Sequence, residues 1–121
     1  MSEPITLSSI QEALSAECLA PPTSNDRLVE HACASDLMSD VLAFSRPKSL
    51  LLTGLVTPQT VRTAEVADLL GIVFVFGKEP THETVQLAIE SGIPLYKSPY
   101  SLYTAAGILY GLGVPGCRSV R

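Results

Sequence analysis

Four short segments place polar and flexible residues directly after apolar runs: Ala34-Ser35-Asp36, Thr53-Gly54-Leu55, Gly77-Lys78-Glu79 and Lys97-Ser98-Pro99-Tyr100-Ser101. Read as strand-to-helix turns, each offers backbone N–H groups at a helix start and the partial positive charge of that helix end. Lys78 and Lys97 add full charges, and the hydroxyls of Thr53, Ser98 and Ser101 add donors and acceptors. Such a set suits an anion or a small polar ligand, such as a phosphorylated or nucleotide-like metabolite. The candidate ligand-binding residues are Ser35, Thr53, Gly54, Gly77, Lys78, Ser98 and Ser101, with Asp36, Asp40 and Arg62 beside them. Ordinary helix capping and turn glycines account for the same residue types, so ligand and capping readings both stand.

Other chemistry is thinly represented. The turns lack GxGxxG and no GxxxxGK[ST] occurs; Gly77-Lys78 looks like the end of a phosphate-binding loop, but Glu79 stands where the hydroxyl should be. Asp36 and Asp40 are one helical turn apart, which would let paired carboxylates hold a divalent cation in a small metal-assisted enzyme; the alternative is one helix-start charge and one solvated charge. His31 and Cys33 would share a strand face and start a metal site, or be an ordinary edge histidine and thiol. Arg62, one turn into its helix, either reaches back to the turns or pairs on the surface with Glu65 or Asp68. No catalytic residue, metal ligand set or cofactor is assigned.

The elements that must position these turns are visible as a near-repeat. Leu50-Leu51-Leu52-Thr53-Gly54 leads through Pro58 and a helical stretch to Gly71-Ile72; Ile72 to Gly77 leads through Pro80 and another helical stretch to Gly92-Ile93. Each unit reads as a buried strand, a turn and a helix stopped by glycine. The expectation is a single α/β domain over residues 1–121, with a mostly parallel central sheet, flanking helices and right-handed βα crossovers. Ligands of such sheets bind beyond the carboxyl ends of the strands.

Around the repeat, the spacing predicts a helix over Thr6 to Ser15 with Ser8 and Gln11 as a capping box, a short strand at Glu17 to Ala20, and a strand over Leu28 to Ala34. Whether residues 17–34 join the main sheet is left open. Ser35 would cap a helix from Asp36 to Phe44 with Leu37, Val41 and Phe44 on its apolar stripe. Thr81 to Ser91 reads as an amphipathic helix with Val85, Ala88 and Ile89 inward and Gly92 as its C-cap, and Pro94 to Lys97 as a strand. Ser98-Pro99 would start the last helix, Tyr100 to Leu112, which carries no charge and spaces Gly107 and Gly111 as GxxxG.

Of the 121 residues 46% are hydrophobic and 17% charged, with a mean hydropathy of +0.31. That is too apolar for disorder and, with the uncharged last helix, suggests apolar surface covered between subunits: a homodimer through Tyr100–Leu112, or alternatively a docking module with no small-molecule ligand. A net charge of -4 with scattered basic residues argues against nucleic acid. The uncharged run Ser98 to Cys117 is interrupted by Pro99, Pro115 and glycines, which argues against a membrane span. With no basic, apolar leader at Met1-Ser2-Glu3-Pro4 and with Cys18, Cys33 and Cys117 in no CxxC spacing, a cytoplasmic protein with reduced thiols is expected.

The run Ala34-Ser35-Asp36-Leu37-Met38-Ser39-Asp40-Val41-Leu42-Ala43 resembles the SDLLSDVLA segment of DRTGG-type domains, which are related to the N-terminal, non-kinase domain of HPr kinase/phosphorylase. Ile72 to Gly77, Lys78-Glu79-Pro80, Glu83-Thr84, Ala88, Gly92-Ile93-Pro94-Leu95 and Ser101 extend the resemblance, which spans roughly Thr6 to Gly113. Where longer members carry GDR and TGG, this chain has Thr53-Gly54-Leu55 and Phe76-Gly77-Lys78. The resemblance implies a non-enzymatic α/β regulatory module, a sensor or adaptor that dimerises, without kinase activity.

Overall fold

The computed structural model describes residues 4–23 and 27–117. Its elements run α1 (Leu7–Ala13), β1 (Glu17–Ala20), β2 (Ala32–Ala34), α2 (Met38–Phe44), β3 (Leu50–Thr53), α3 (Pro58–Val66), β4 (Gly71–Phe74), α4 (His82–Ser91), β5 (Leu95–Lys97) and α5 (Leu102–Gly111). One five-stranded sheet has the order β1-β5-β4-β3-β2. Strands β2 to β5 are parallel neighbours in sequence order, and β1 closes the far edge antiparallel to β5. The mostly parallel α/β domain expected from the repeat is therefore present, and Glu17–Ala20 and Ala32–Ala34 join the sheet, one at each edge.

The sheet is covered on two sides because its central strands have no polar face. All four residues of β3 and of β4 are buried. Alternation along each strand sends Leu51, Ile72, Phe74 and Leu95 to one side, where they meet Met38 and Val41 of α2, Val61 and Ala64 of α3 and Ala88 of α4. Leu50, Leu52, Val73 and Tyr96 go to the other side, against Leu7 and Ile10 of α1 and Ala105 and Leu109 of α5. Register aligns these residues in rows across the sheet, Cys33–Leu51–Ile72–Leu95 on one face and Ala34–Leu52–Val73–Tyr96 on the other.

Several local expectations are corrected. The capping box of α1 is built by Thr6 and Ser9, whose side chains and backbone amides bond reciprocally, and not by Ser8 and Gln11. The strand expected from Leu28 shrinks to Ala32–Ala34; Leu28 instead bridges Thr6, and Val29 N–H donates to the Ile5 carbonyl, tying this segment to the start of α1. Helix α2 starts later than Asp36, with Leu37 as its N-cap and no side-chain cap. Its buried residues are Met38 and Val41, while Leu37 and Phe44 are exposed. In α4 the buried pair is Thr84 and Ala88, with Ile89 turned to solvent.

Gly71 does not stop α3, which ends at Val66; it opens β4 where the strands crowd. A Cβ there would lie 3.1 Å from the Pro94 carbonyl oxygen and 3.4 Å from Pro94 Cβ. Gly92 does take the left-handed conformation expected of it (φ 72°). At α5, Ser101 is the N-cap, its hydroxyl accepting from Thr104 N–H, so the helix begins at Leu102, four residues after Ser98.

Two glycines should respond oppositely to alanine. Gly71→Ala pushes on the backbone of the neighbouring strand and should cost about 1–3 kcal/mol. Gly107, exposed in mid-helix, has open space where a Cβ would go, so Gly107→Ala should stabilise the monomer by up to about 1 kcal/mol. Urea midpoints of the two variants check both signs. Ser98→Ala, which removes a buried hydrogen bond from Oγ to the Leu14 carbonyl, should cost about 1–3 kcal/mol on the same measurement.

Candidate functional site

The carboxyl ends of β2 to β5 lie along one edge of the sheet, so the four turns share a rim as the sequence implied. The amides along that rim are largely occupied by the chain itself. At the end of β3, Gly54 N–H donates to Asp36 Oδ1 at 2.7 Å, and the Thr53 hydroxyl donates to the same oxygen at 3.0 Å. Leu55 N–H donates to Thr53 Oγ1. At the end of β4, Gly77 N–H donates to the Ser98 carbonyl and Lys78 N–H to the Val75 carbonyl. The Asp36 carboxylate thus sits where an anionic ligand of the Gly54 amide would sit, because a negative side chain in the preceding turn reaches this donor without leaving the chain.

Fold topology points to the space between β4 and β5, since α4 and α5 leave these neighbouring strands toward opposite faces of the sheet. In this chain it is laced shut. Phe76 N–H donates to the Tyr100 carbonyl at 2.7 Å and Gly77 N–H to the Ser98 carbonyl at 2.8 Å. Ser98, fully buried, turns its hydroxyl inward to the carbonyl of Leu14, the C-cap residue of α1. Ser98 is therefore a structural tie, and Ser101 a helix cap.

What remains open lies around Gly54. A Cβ built there would be 3.3 Å from Lys78 Nζ, 3.6 Å from Asp36 Oδ1 and 3.6 Å from Phe76 Cδ2, so three exposed side chains of three types surround this one α-carbon. Lys78 Nζ donates to the Gly54 carbonyl at 3.0 Å and lies 5.8 Å from the centre of the Phe76 ring. The bulky run Ile72 to Phe76 predicts a buried strand that ends at Phe76. Instead β4 stops at Phe74, Phe76 takes a left-handed backbone conformation (φ 63°), and its ring is 54% exposed. A positive φ at a non-glycine residue is costly and tends to persist at functional sites. The signal in the sequence was the Phe-Gly pair ending an apolar run, which also suits an ordinary turn.

The other candidates are dispersed. Ser35 accepts from Leu37 N–H and extends the ladder through its own N–H to the Leu52 carbonyl. Asp36 lies outside α2, bound to Gly54, whereas Asp40 lies within α2 and lines a cleft with Ala34, Val41 and Phe44. Among the described residues no group of three or more His, Cys, Asp or Glu side chains could hold a metal ion. Arg62 is exposed on α3 and makes no ion pair among the described residues; Asp68 pairs with Lys48 at 3.1 Å. His31 Nε2 contacts Arg46 Nη1 at 2.8 Å. Lys97 is bound by Glu79 at 2.6 Å and Glu17 at 3.5 Å, and the bond to Glu79 foremost raises its pKa. Its charge is therefore spent on neighbours, leaving Lys78 as the cation of the rim.

A larger hollow lies on the other side of the sheet. A groove of about 680 Å³ runs between β2 and α5, lined by Ala32, Leu52, Tyr103, Gly107, Tyr110 and Val114 among others. Tyr103 and Tyr110 are 88% and 77% exposed, and nothing lies within 4 Å of a Cβ built on Gly107 or Gly111. Among the described residues no helix is long and apolar enough to cross a membrane.

No protein-family model matches the chain, and no curated protein matches it in sequence. Among solved structures it is similar to the CBS and DRTGG domains of the regulatory region of Clostridium perfringens pyrophosphatase, solved in complex with the activator diadenosine tetraphosphate. The TM-score is 0.74 at 14% identity, over 88% of this chain and 46% of that one. The likeness is one of fold, the chain spans less than half of its neighbour, and the neighbour is a regulatory rather than a catalytic region.

Proposed function

We propose that this chain is a non-catalytic, cytoplasmic regulatory domain of the DRTGG type that binds a nucleotide-like ligand around Gly54. The observation that carries the reading is the grouping of Lys78, Asp36 and the exposed Phe76 ring about that glycine. A bare anion is a poor match, because Asp36 already holds the Gly54 amide and repels negative charge. A nucleotide matches better. Its phosphate takes the remaining donors of Lys78, a ribose hydroxyl donates to Asp36, and the base lies on the exposed part of Phe76. The nucleotide activator of the structurally similar pyrophosphatase region supports the same class of ligand.

A second reading concerns self-association. The uncharged outer face of α5, with Tyr103 and Tyr110 flanking the open Gly107 and Gly111, favours a homodimer through this helix. The adaptor alternative, in which a different protein covers this face, rests on the same residues.

Thermal shift separates the parts of the ligand site. ATP at a hundredfold excess over its Kd should add about 2.7 kcal/mol of stability, whereas inorganic phosphate should add nothing. Lys78→Ala should weaken ATP about 10–100-fold, the loss of one charge-assisted bond. Phe76→Ala should weaken ATP, and triphosphate alone should add nothing in either protein. No shift with any nucleoside phosphate, or an equal shift in Lys78→Ala, rejects the site.

For the second reading, native mass spectrometry of the wild type should show a dimer, and Tyr110→Glu a monomer. A monomeric wild type rejects self-association.

A further inference from the structure

Cys33 and Cys117 are 84 positions apart, nothing in their sequence spacing joins them, and they line the same cleft. Cys33 is the middle residue of β2, the strand at the open edge of the sheet. The chain returns to that edge at its other end: Ala32 N–H donates to the Pro115 carbonyl at 3.0 Å, and Ala32 and Gly116 form a parallel bridge. Cys33 and Cys117 each follow a residue of that bridge, and neighbouring strands lie about 4.7–4.9 Å apart, within the Cα separation that a disulfide spans. Cys117 is near enough to Cys33 to raise its pKa, and Cys117 Sγ donates to Ser49 Oγ at 2.9 Å. Both are partly exposed and line a cleft of about 370 Å³ that also includes Asp40 and Phe44, so a small reagent can reach them.

We propose that Cys33 and Cys117 are a reversible dithiol–disulfide site whose oxidation by a low-molecular-weight disulfide staples residues 114–117 to the edge strand. In the first step the Cys117 thiolate attacks one sulfur of the reagent, forming a mixed disulfide and expelling one thiolate. In the second, Cys33 loses its proton and attacks Cys117 Sγ, expelling the other half of the reagent. Two cysteine thiols become one disulfide, and the reagent disulfide is reduced to two thiols; electrons and protons balance. The order follows from the environment. Burial first, and the charge and hydrogen bond of Cys117 second, push the Cys33 thiol up to about 12. Once Cys117 carries no charge, that part of the obstacle is gone.

The staple would act on surface shape. Gly116 and β2 form part of the wall of both hollows, the 680 Å³ groove beside α5 and the 370 Å³ cleft beside α2. Residues 114–117 therefore divide them, and the disulfide would hold that division in place. It would also keep the outer edge of β2 covered against pairing with another strand.

The full chain, folded, is incubated with glutathione disulfide, quenched in acid, and read by thiol titration, intact mass and peptide mapping. The free thiol count should fall from three to one, with a Cys33–Cys117 link within a single chain, reversal by dithiothreitol and a raised melting temperature. Cys18→Ser should form the same link, and Cys33→Ser should stop at glutathione attached to Cys117. Glutathione attached to Cys18 alone, links only between chains, or a Cys33–Cys117 link that forms only after denaturation would overturn the proposal.

Discussion

Strands β3 and β4 are buried along their whole length on both faces, and the rest of the molecule answers to that. A parallel pair with no polar side must carry a layer of helices above and below. Here α2, α3 and α4, the helices that link consecutive parallel strands, cover one face, so the second face falls to the two remaining helices, α1 and α5. This explains why α1, although it precedes the sheet in sequence, is tied into it: Leu7, Ile10 and Leu14 are almost wholly buried, and Ser98 holds the carboxyl end of α1 from the far side of the chain. It also explains why α5 has no charge and yet is only half covered. Ala105 and Leu109 fill the sheet face, while Tyr103 and Tyr110 stand out in solvent.

The same arrangement governs the rim. Parallel strands deliver their ends to one edge, and each end brings donors that the ladder no longer uses. A small domain has few spare residues with which to cover such donors, and this one uses Asp36, Thr53 and the backbone of residues 98–100. The outcome around Gly54 is a carboxylate, a lysine and an exposed ring instead of vacant amides. On the proposed reading, such a surface suits a ligand with several functional groups, a nucleoside phosphate better than a simple anion.

The edge strand β2 links the two hollows. It is short, paired only to β3 and to the single bridge at Gly116, and both hollows open along it. Cover over this edge depends on a few residues of extended chain and two thiols. A change there alters surfaces on both faces of the sheet without disturbing the buried rows.

Much of the framework was legible because it rests on local, periodic signals. Five consecutive bulky residues at 72–76 and the tandem glycine and proline punctuation identified the central strands, the order of helices and the parallel class, and Gly92 is the C-cap of α4 as its place in the sequence implies. The sequence also identified Thr53, Gly54, Gly77 and Lys78 as turn residues on one edge. It could not say which donors the chain would satisfy by itself. Ser98 and Ser101 have the same chemistry and lie three positions apart, yet one is buried against α1 and the other caps a helix, because only packing decides which hydroxyl meets the Leu14 carbonyl. Asp36 reads as a helix-start charge and is a bridge to the next turn; Phe76 reads as core and is surface; Cys33 and Cys117 read as unrelated and line one cleft. Periodicity reports which side of an element is apolar. Contacts between residues far apart in the chain, and the backbone reversals that expose a ring, arise only when the layers close on one another.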